Sequence, residues 1–309
     1  MQEKVNIALR KINNVILGKE QQVKIIAATW LTGGHVLLED TPGTGKTVLA
    51  KCFSKVFSCH YGRIQFTPDL LPSDITGLTI YDPESKKFNF KKGPIFSTFL
   101  LADEINRATP RTQSALLEAM AENQITIDNH LTNLSENFFV IATQNPIESH
   151  GTFPLPEAQL DRFTVKLSLG LLSPDREFQM IKTQLNQNIL ANLSALVSQS
   201  EISDTKKIIQ KIKIDDSIIQ YIINIAEQTR KDENIKFGVS PRATLAYTKL
   251  ARAYAYLSGR DYVIPTDIYE LAVPVLSHRI ILTEDAIFDG IDSKTIIKYI
   301  LQKVKPPKL

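Results

Sequence analysis

The stretch that most constrains this chain is Val36-Leu37-Leu38-Glu39-Asp40-Thr41-Pro42-Gly43-Thr44-Gly45-Lys46-Thr47. Its first three apolar residues read as a short buried strand. The segment behind it, Val48 to Phe57, repeats apolar residues at helical spacing. Strand, glycine-rich loop, Gly-Lys-Thr and helix together form the context in which a phosphate-binding loop is expected. Backbone N–H groups at such a helix start point at an anion and favour it. Lys46 is expected to reach the β- and γ-phosphates of a nucleoside triphosphate, and the Thr47 hydroxyl to ligate Mg²⁺. Pro42, Gly43, Thr44, Gly45 and Val48 make up the rest of the cradle. The usual pattern has glycine five residues before its second glycine, where this chain has Asp40. Asp tolerates turns better than most residues, so the departure leaves loop geometry open without removing a chemical group.

Downstream, Phe99-Leu100-Leu101-Ala102 closes on Asp103-Glu104. A strand merely capped by acidic loop residues would look the same in isolation. After a phosphate loop the pair acquires two roles: Asp103 to hold Mg²⁺ through water, and Glu104 to orient or deprotonate an attacking water. A further apolar run, Phe138 to Thr143, ends at Gln144-Asn145-Pro146. That places Asn145 at the carboxyl end of a strand, where open α/β sheets bind ligands.

Residues 1–30 read as two helices. Ile7, Leu9, Ile12, Val15 and Ile16 mark the first, and Val23, Ile25, Ile26 and Trp30 the second, with a break at Leu17-Gly18-Lys19. Gly18 either admits a nucleotide base or simply turns the chain. Further strands are expected at Arg63–Phe66 and at 164–169, and a helix from Arg111 to Glu122. Period-two patterning around turn residues predicts two inserted hairpins, at about 76–92 and about 124–134. Five strands alternating with helices predict an α/β fold with a five-stranded parallel sheet over 1–172. Helical periodicity alone predicts a smaller all-α domain over 173–309, with Ser194–Lys207 polar enough to read as a loop. A length of 309 residues suits two domains.

Composition narrows the function classes. A net charge of +3 is too small to argue for nucleic acid, and the lysine pairs at 86–87, 91–92 and 206–207 read as solvated surface. The five histidines show no metal-ligand spacing, so no zinc site is expected. Cys52 and Cys59 support no disulfide framework. No apolar run is long enough to span a bilayer and the N-terminus lacks a signal-peptide core, so cytoplasmic residence is the expectation. An Asn-Lys-x-Asp guanine-reading motif does not occur, which disfavours GTP.

Several stretches, in order, resemble the MoxR family of AAA+ ATPases. These are Gln65-Phe66-Thr67-Pro68-Asp69-Leu70-Leu71-Pro72-Ser73-Asp74, Leu101 to Ala108, Gln113 to Met120, Ala142 to Pro146, and Leu155-Pro156-Glu157-Ala158-Gln159-Leu160-Asp161-Arg162-Phe163. The resemblance implies that Gly43 to Thr47 are the Walker A loop, and Asp103 and Glu104 the Walker B pair. It implies that Asn145 is the sensor 1 residue, and Arg162 an arginine finger offered to a neighbouring subunit. Arg242, in Gly238-Val239-Ser240-Pro241-Arg242-Ala243, matches the sensor 2 arginine; Ile16-Leu17-Gly18 matches the adenine-side segment. From spacing alone, Arg162 could instead pair with Asp161 or Asp175, and Arg242 could cap a helix. The family further implies ATP and Mg²⁺, a homo-oligomeric ring (a hexamer), a client protein for remodelling or metal-cofactor insertion, and partners carrying a von Willebrand factor A domain. A nucleotide-regulated scaffold and a DNA-working motor are the rival expectations.

Overall fold

The strand that opens the phosphate loop lies inside the sheet, and its alternating side chains supply both faces. In the computed structural model, which describes residues 1–309 apart from Ser85, 128–129, 147–150, 187–188 and Leu309, two helices come first. They are α1 (Gln2–Asn13) and α2 (Glu20–Leu31), with Val5, Ala8, Leu9 and Ile12 forming the buried face of α1; Ile7 is exposed, contrary to the expected stripe. Then follow β1 (Val36–Glu39), α3 (Lys46–Val56), β2 (Tyr61–Gln65), α4 (Pro72–Thr76), β3 (Gly77–Asp82), β4 (Lys87–Lys92) and β5 (Phe99–Asp103). Next come α5 (Pro110–Glu122), β6 (Gln124–Ile127), β7 (His130–Asn133), β8 (Phe139–Gln144), α6 (Glu157–Leu160) and β9 (Val165–Leu167).

The main sheet has the order β2-β5-β8-β1-β9, with all neighbours parallel. Its apolar runs are buried on both faces, as parallel strands under two helical layers require. Val36, Leu38, Phe99, Leu101, Phe139 and Ile141 enter one apolar cluster; Leu37, Leu100, Val140 and Ala142 enter another. β3 pairs with β4 and β6 with β7, each antiparallel and outside the main sheet, which makes them the two expected insertions. Their turns, at Ser85 and 128–129, lie outside the described residues. Leu78, Ile80, Tyr81 and Phe88 of the first hairpin are exposed.

Past β9 the chain is mainly helical: α7 (Pro174–Asn186), α8 (Gln199–Gln210), α9 (Asp216–Lys231), α10 (Pro241–Leu257), α11 (Pro265–Leu276), α12 (Glu284–Phe288) and α13 (Ser293–Lys303). A short antiparallel ribbon, β10 (Ile235–Phe237) with β11 (Ile281–Leu282), fastens these helices together. The stretch expected to be a loop, Ser194–Lys207, instead holds most of α8, which runs on to Gln210. Ser198 accepts from Glu201 N while Glu201 accepts from Ser198 N, a capping box that starts a helix in polar sequence. Lys206 of that helix is half-buried and donates to Glu136 O at 3.1 Å, so it is not the plain surface lysine expected. α10 packs on α2, and one apolar cluster includes residues from both sides of residue 172.

Candidate active site

The phosphate loop connects the carboxyl end of β1 to the start of α3. Gly43 and Gly45 stand at φ of 86° and 89°, which only glycine adopts without strain, and nothing lies within 4 Å of where their Cβ atoms would be. The glycines therefore serve backbone conformation and leave the space above the loop open. Lys46 Nζ lies 2.8 Å from the carbonyl oxygen of Asp40, folded over the loop. Thr47 occupies the first turn of α3. A cavity of about 300 Å³ adjoins the loop, lined by Gly43, Thr44, Gly45 and Val48 and walled by Ile16, Leu17, Leu171 and Met180 among others. An apolar wall beside a cradle of backbone N–H groups suits a planar base joined to phosphates. Gly18 turns the chain there at φ 67°, with Arg176 Cγ 3.5 Å from where its Cβ would be.

Asp103 and Glu104 end β5 beside β2 and β8. Thr143 Oγ1 donates to Asp103 Oδ1 at 2.6 Å and accepts from Glu104 N at 2.9 Å, so one hydroxyl fixes the turn between the two carboxylates. Glu104 takes a left-handed conformation (φ 57°, ψ 50°), uncommon for a residue with a side chain. Its Oε2 accepts from Gln65 Nε2 at 2.7 Å and from Arg107 Nη1 at 2.9 Å. Arg63 Nη2 reaches both Asp103 Oδ2 at 2.8 Å and Gln65 Oε1 at 2.9 Å. Gln65 and Asp103 are register partners across β2 and β5, which is why Gln65 reaches the next residue, Glu104. Asn145, buried, follows Gln144 at the end of β8. The turn after Glu104 is held by Gln113 Nε2, which donates to Ile105 O, Ala108 O and Phe153 O. One hydroxyl (Thr47) and one oriented carboxylate (Asp103) are a donor set suited to Mg²⁺, which keeps several waters and needs no all-protein cage. Among the described residues, no group of three or more His, Cys, Asp or Glu converges to hold a metal ion.

The two family-implied arginines lie elsewhere. Arg162 and Arg242 line a second cavity of about 300 Å³ together with Asp161, Lys249 and Arg279. Among the described residues, neither lines the cavity at the phosphate loop. Arg162 donates to Leu117 O at 3.2 Å; the carboxylate beside it, Asp161, pairs instead with Arg279 Nε at 2.7 Å. The cap of α10 is Ser240, which accepts from Ala243 N, and Arg242 is free of that duty. Burial pushes the pKa of the Arg279 guanidinium down while Asp161 opposes the shift. Arg279 also donates to Thr164 O at 2.9 Å and Phe163 O at 2.9 Å, gripping the segment that carries Arg162. His278 Nε2 donates to Phe163 O at 3.0 Å beside it. Neither cysteine is in a disulfide, and burial pushes each thiol up to about 12. Gln65, Arg107 and Thr143 lie inside the family-like stretches but carry no implied role there, and Arg279 lies outside them; the β2–β5 pairing is what points to Gln65.

Residues 35–165 match the model of the ATPase family associated with various cellular activities (AAA), and residues 227–300 match that of the AAA lid domain. The chain is 45% identical over 300 residues to YeaC, an uncharacterized protein of Bacillus subtilis, covering 97% of this chain and 94% of that one. It is 39% identical over 311 residues to the chaperone MoxR1 of Mycobacterium tuberculosis, covering 98% and 82%. The crystal structure of a Cytophaga hutchinsonii protein proposed to be an ATPase superposes with a TM-score of 0.92 at 39% identity, covering 99% and 96%.

Proposed function

The chain belongs to the MoxR family of AAA+ ATPases, and from that premise we propose that it hydrolyses ATP between neighbouring copies of a ring, a hexamer, to remodel or mature client proteins. The observation that carries this reading is the separation of two half-sites. The phosphate loop adjoins one cavity, and the Asp103–Glu104 turn follows β5 at the same carboxyl edge of the sheet, with β8 between β5 and β1; Arg162 and Arg242 share another cavity. A site lacking its arginines and an arginine pair lacking its phosphates complete each other when two copies meet. Arg162 and Arg242 then both act on the neighbour's nucleotide, where an arginine supplied in trans contributes about 10³–10⁵ in rate.

The roles follow from position. Backbone N–H groups of Gly43 to Val48 and the Lys46 ammonium hold the triphosphate, with Pro42 shaping the loop, and Gly18 with its neighbours receives the adenine. Glu104 accepts the proton of the attacking water after exchanging Gln65 and Arg107 for it, and Asn145 helps orient that water. Thr47 and, through water, Asp103 would hold Mg²⁺, which would supply charge neutralisation at the phosphates. Binding and hydrolysis shift the helical lid against the core and move the exposed hairpin β3–β4, whose apolar side chains contact a client. That client, metal-cofactor insertion into it, and a partner with a von Willebrand factor A domain belong to this proposal, as does a cytoplasmic location. Among the described residues no helix is long and apolar enough to cross a membrane.

Steady-state phosphate release from wild type, Lys46→Ala and Glu104→Gln tests the reading. Wild type should turn over ATP and both variants should fall at least about 100-fold. Equal release from all three would refute it.

A further inference from the structure

The departure at Asp40 has a built partner. Asp40 is 5% exposed, and its carboxylate takes three donors from one segment. Ser168 Oγ at 2.6 Å and Gly170 N at 2.9 Å donate to Oδ1, and Leu169 N at 2.7 Å donates to Oδ2. That segment is where the chain leaves β9 for α7. The β1–β9 ladder ends at Leu38 opposite Leu167, so the Asp40 side chain carries the pairing onward past the last backbone partner. The Asp40 backbone is engaged as well: its N–H donates to Gln144 O at 3.3 Å, and its carbonyl accepts from Lys46 Nζ at 2.8 Å. Asp40 is not among the residues with positive φ, so the loop does not demand glycine at this position. Both carboxylate oxygens point to the junction, which leaves neither for a cation at the phosphate loop.

The held segment continues directly into the nucleotide cavity. Gly170, Leu171 and Leu172 form part of its wall, and Lys19 Nζ holds Leu171 O at 2.9 Å from the other side. We propose that Asp40 is a positioning residue for nucleotide: it fixes the Gly170–Leu172 wall, and it couples occupancy of the phosphate site to the core–lid junction. Coupling arises because Lys46 rests on the Asp40 carbonyl and leaves it when phosphate oxygens arrive. The loop then readjusts about a residue whose side chain grips the junction. Without the carboxylate, the buried N–H of Leu169 and the partly buried N–H of Gly170 lose their acceptor, and the wall must move to find another. Charge-assisted bonds of this kind are roughly twice as strong as neutral ones. This inference rests on the nucleotide-binding reading above.

Asp40→Gly is the informative variant, because it restores the glycine of the usual motif. If position 40 mattered only for loop shape, the variant would bind nucleotide as well as wild type. The clamp predicts instead that Kd for N-methylanthraniloyl-ADP, measured at equilibrium on the full chain, rises about tenfold or more. KM for ATP should rise in parallel while kcat at saturation falls less than about threefold. Asp40→Asn, which keeps one accepting oxygen, should recover part of the affinity. A Kd within about twofold of wild type, or a loss confined to kcat, overturns the proposal. Should Asp40→Gly fail to fold, Ser168→Ala must weaken binding in the same direction by about twofold to fivefold, and no change there overturns it too. Wild type that binds no nucleotide at all would fail the ATPase reading itself; wild type that binds beside an unaffected Asp40→Gly fails only the clamp.

Discussion

Glu104 shows how much of a candidate catalytic position is decided by residues with no chemistry of their own. Its left-handed backbone costs about 1–2 kcal/mol relative to the ordinary helical region, and Thr143 holds that turn by accepting from its N–H. The same hydroxyl orients Asp103, so a single oxygen sets both carboxylates. Thr143→Val keeps the shape of the side chain and removes only these two bonds, leaving the Glu104 N–H without its acceptor. We expect kcat for ATP hydrolysis to fall about 10- to 100-fold, with KM changed less than about threefold, since ground-state phosphate contacts lie on the loop and not on this turn. Steady-state kinetics across ATP concentrations checks it, and an unchanged kcat would show that the turn holds without Thr143. Arg107 and Gln65 act differently, because they hold the Glu104 carboxylate directly; under the proposed mechanism they yield it before it takes a proton.

At the scale of elements, the phosphate loop, the five strands and both hairpins were readable because each rests on a local pattern: glycines before Gly-Lys-Thr, continuous apolar runs, period-two alternation. What was not readable depends on register or on distant contacts. Gln65 matters because β2 lies beside β5, and Arg279 because α11 ends over the segment 161–164; neither fact has a local signature. α8 was missed because its buried positions are only Ile202, Thr205 and Ile209, too sparse for periodicity to reveal. Two buried histidines join elements in the same hidden way. His35 Nε2 donates to Met120 O and its Nδ1 accepts from Val140 N, tying the start of β1 to α5 and β8. His278 ties the turn after α11 to Phe163. Burial lowers the first to about 4 and the second to about 3. Each is therefore neutral when folded and protonated near pH 6.5 when unfolded, so the unfolded chain binds more protons below that pH. Stability is full above pH 6.5 and is lost as pH falls from there toward the folded values. Urea unfolding at pH 7.5 and 5.5 should differ by about 2–3 kcal/mol, at about 1.4 kcal/mol per pH unit for each histidine. Equal stability at the two pH values would mean that these imidazoles are not held neutral.

For the whole molecule, the decisive feature is that Arg162 and Arg242 open onto a different cavity from the phosphate loop. If Arg162 served its own chain, loss of Arg162 and loss of Lys46 would be independent defects, and mixing the two variants would restore nothing. In a ring the defects sit on opposite sides of an interface. A Lys46→Ala copy keeps an intact Arg162 for its neighbour, and an Arg162→Ala copy keeps an intact phosphate loop. Random assembly of equal amounts places a competent loop opposite a competent arginine at about one interface in four. Each variant alone should be nearly inactive, and the mixture should recover up to about a quarter of wild-type phosphate release, provided subunits exchange. Light scattering in the presence of a slowly hydrolysed ATP analogue establishes that assembly has occurred. Assembly without recovery would return Arg162 to its own chain and leave the second cavity without a nucleotide to serve. Recovery that disappears when Arg242→Ala is added to the Lys46→Ala copy would place both arginines of that cavity on the neighbour's phosphates.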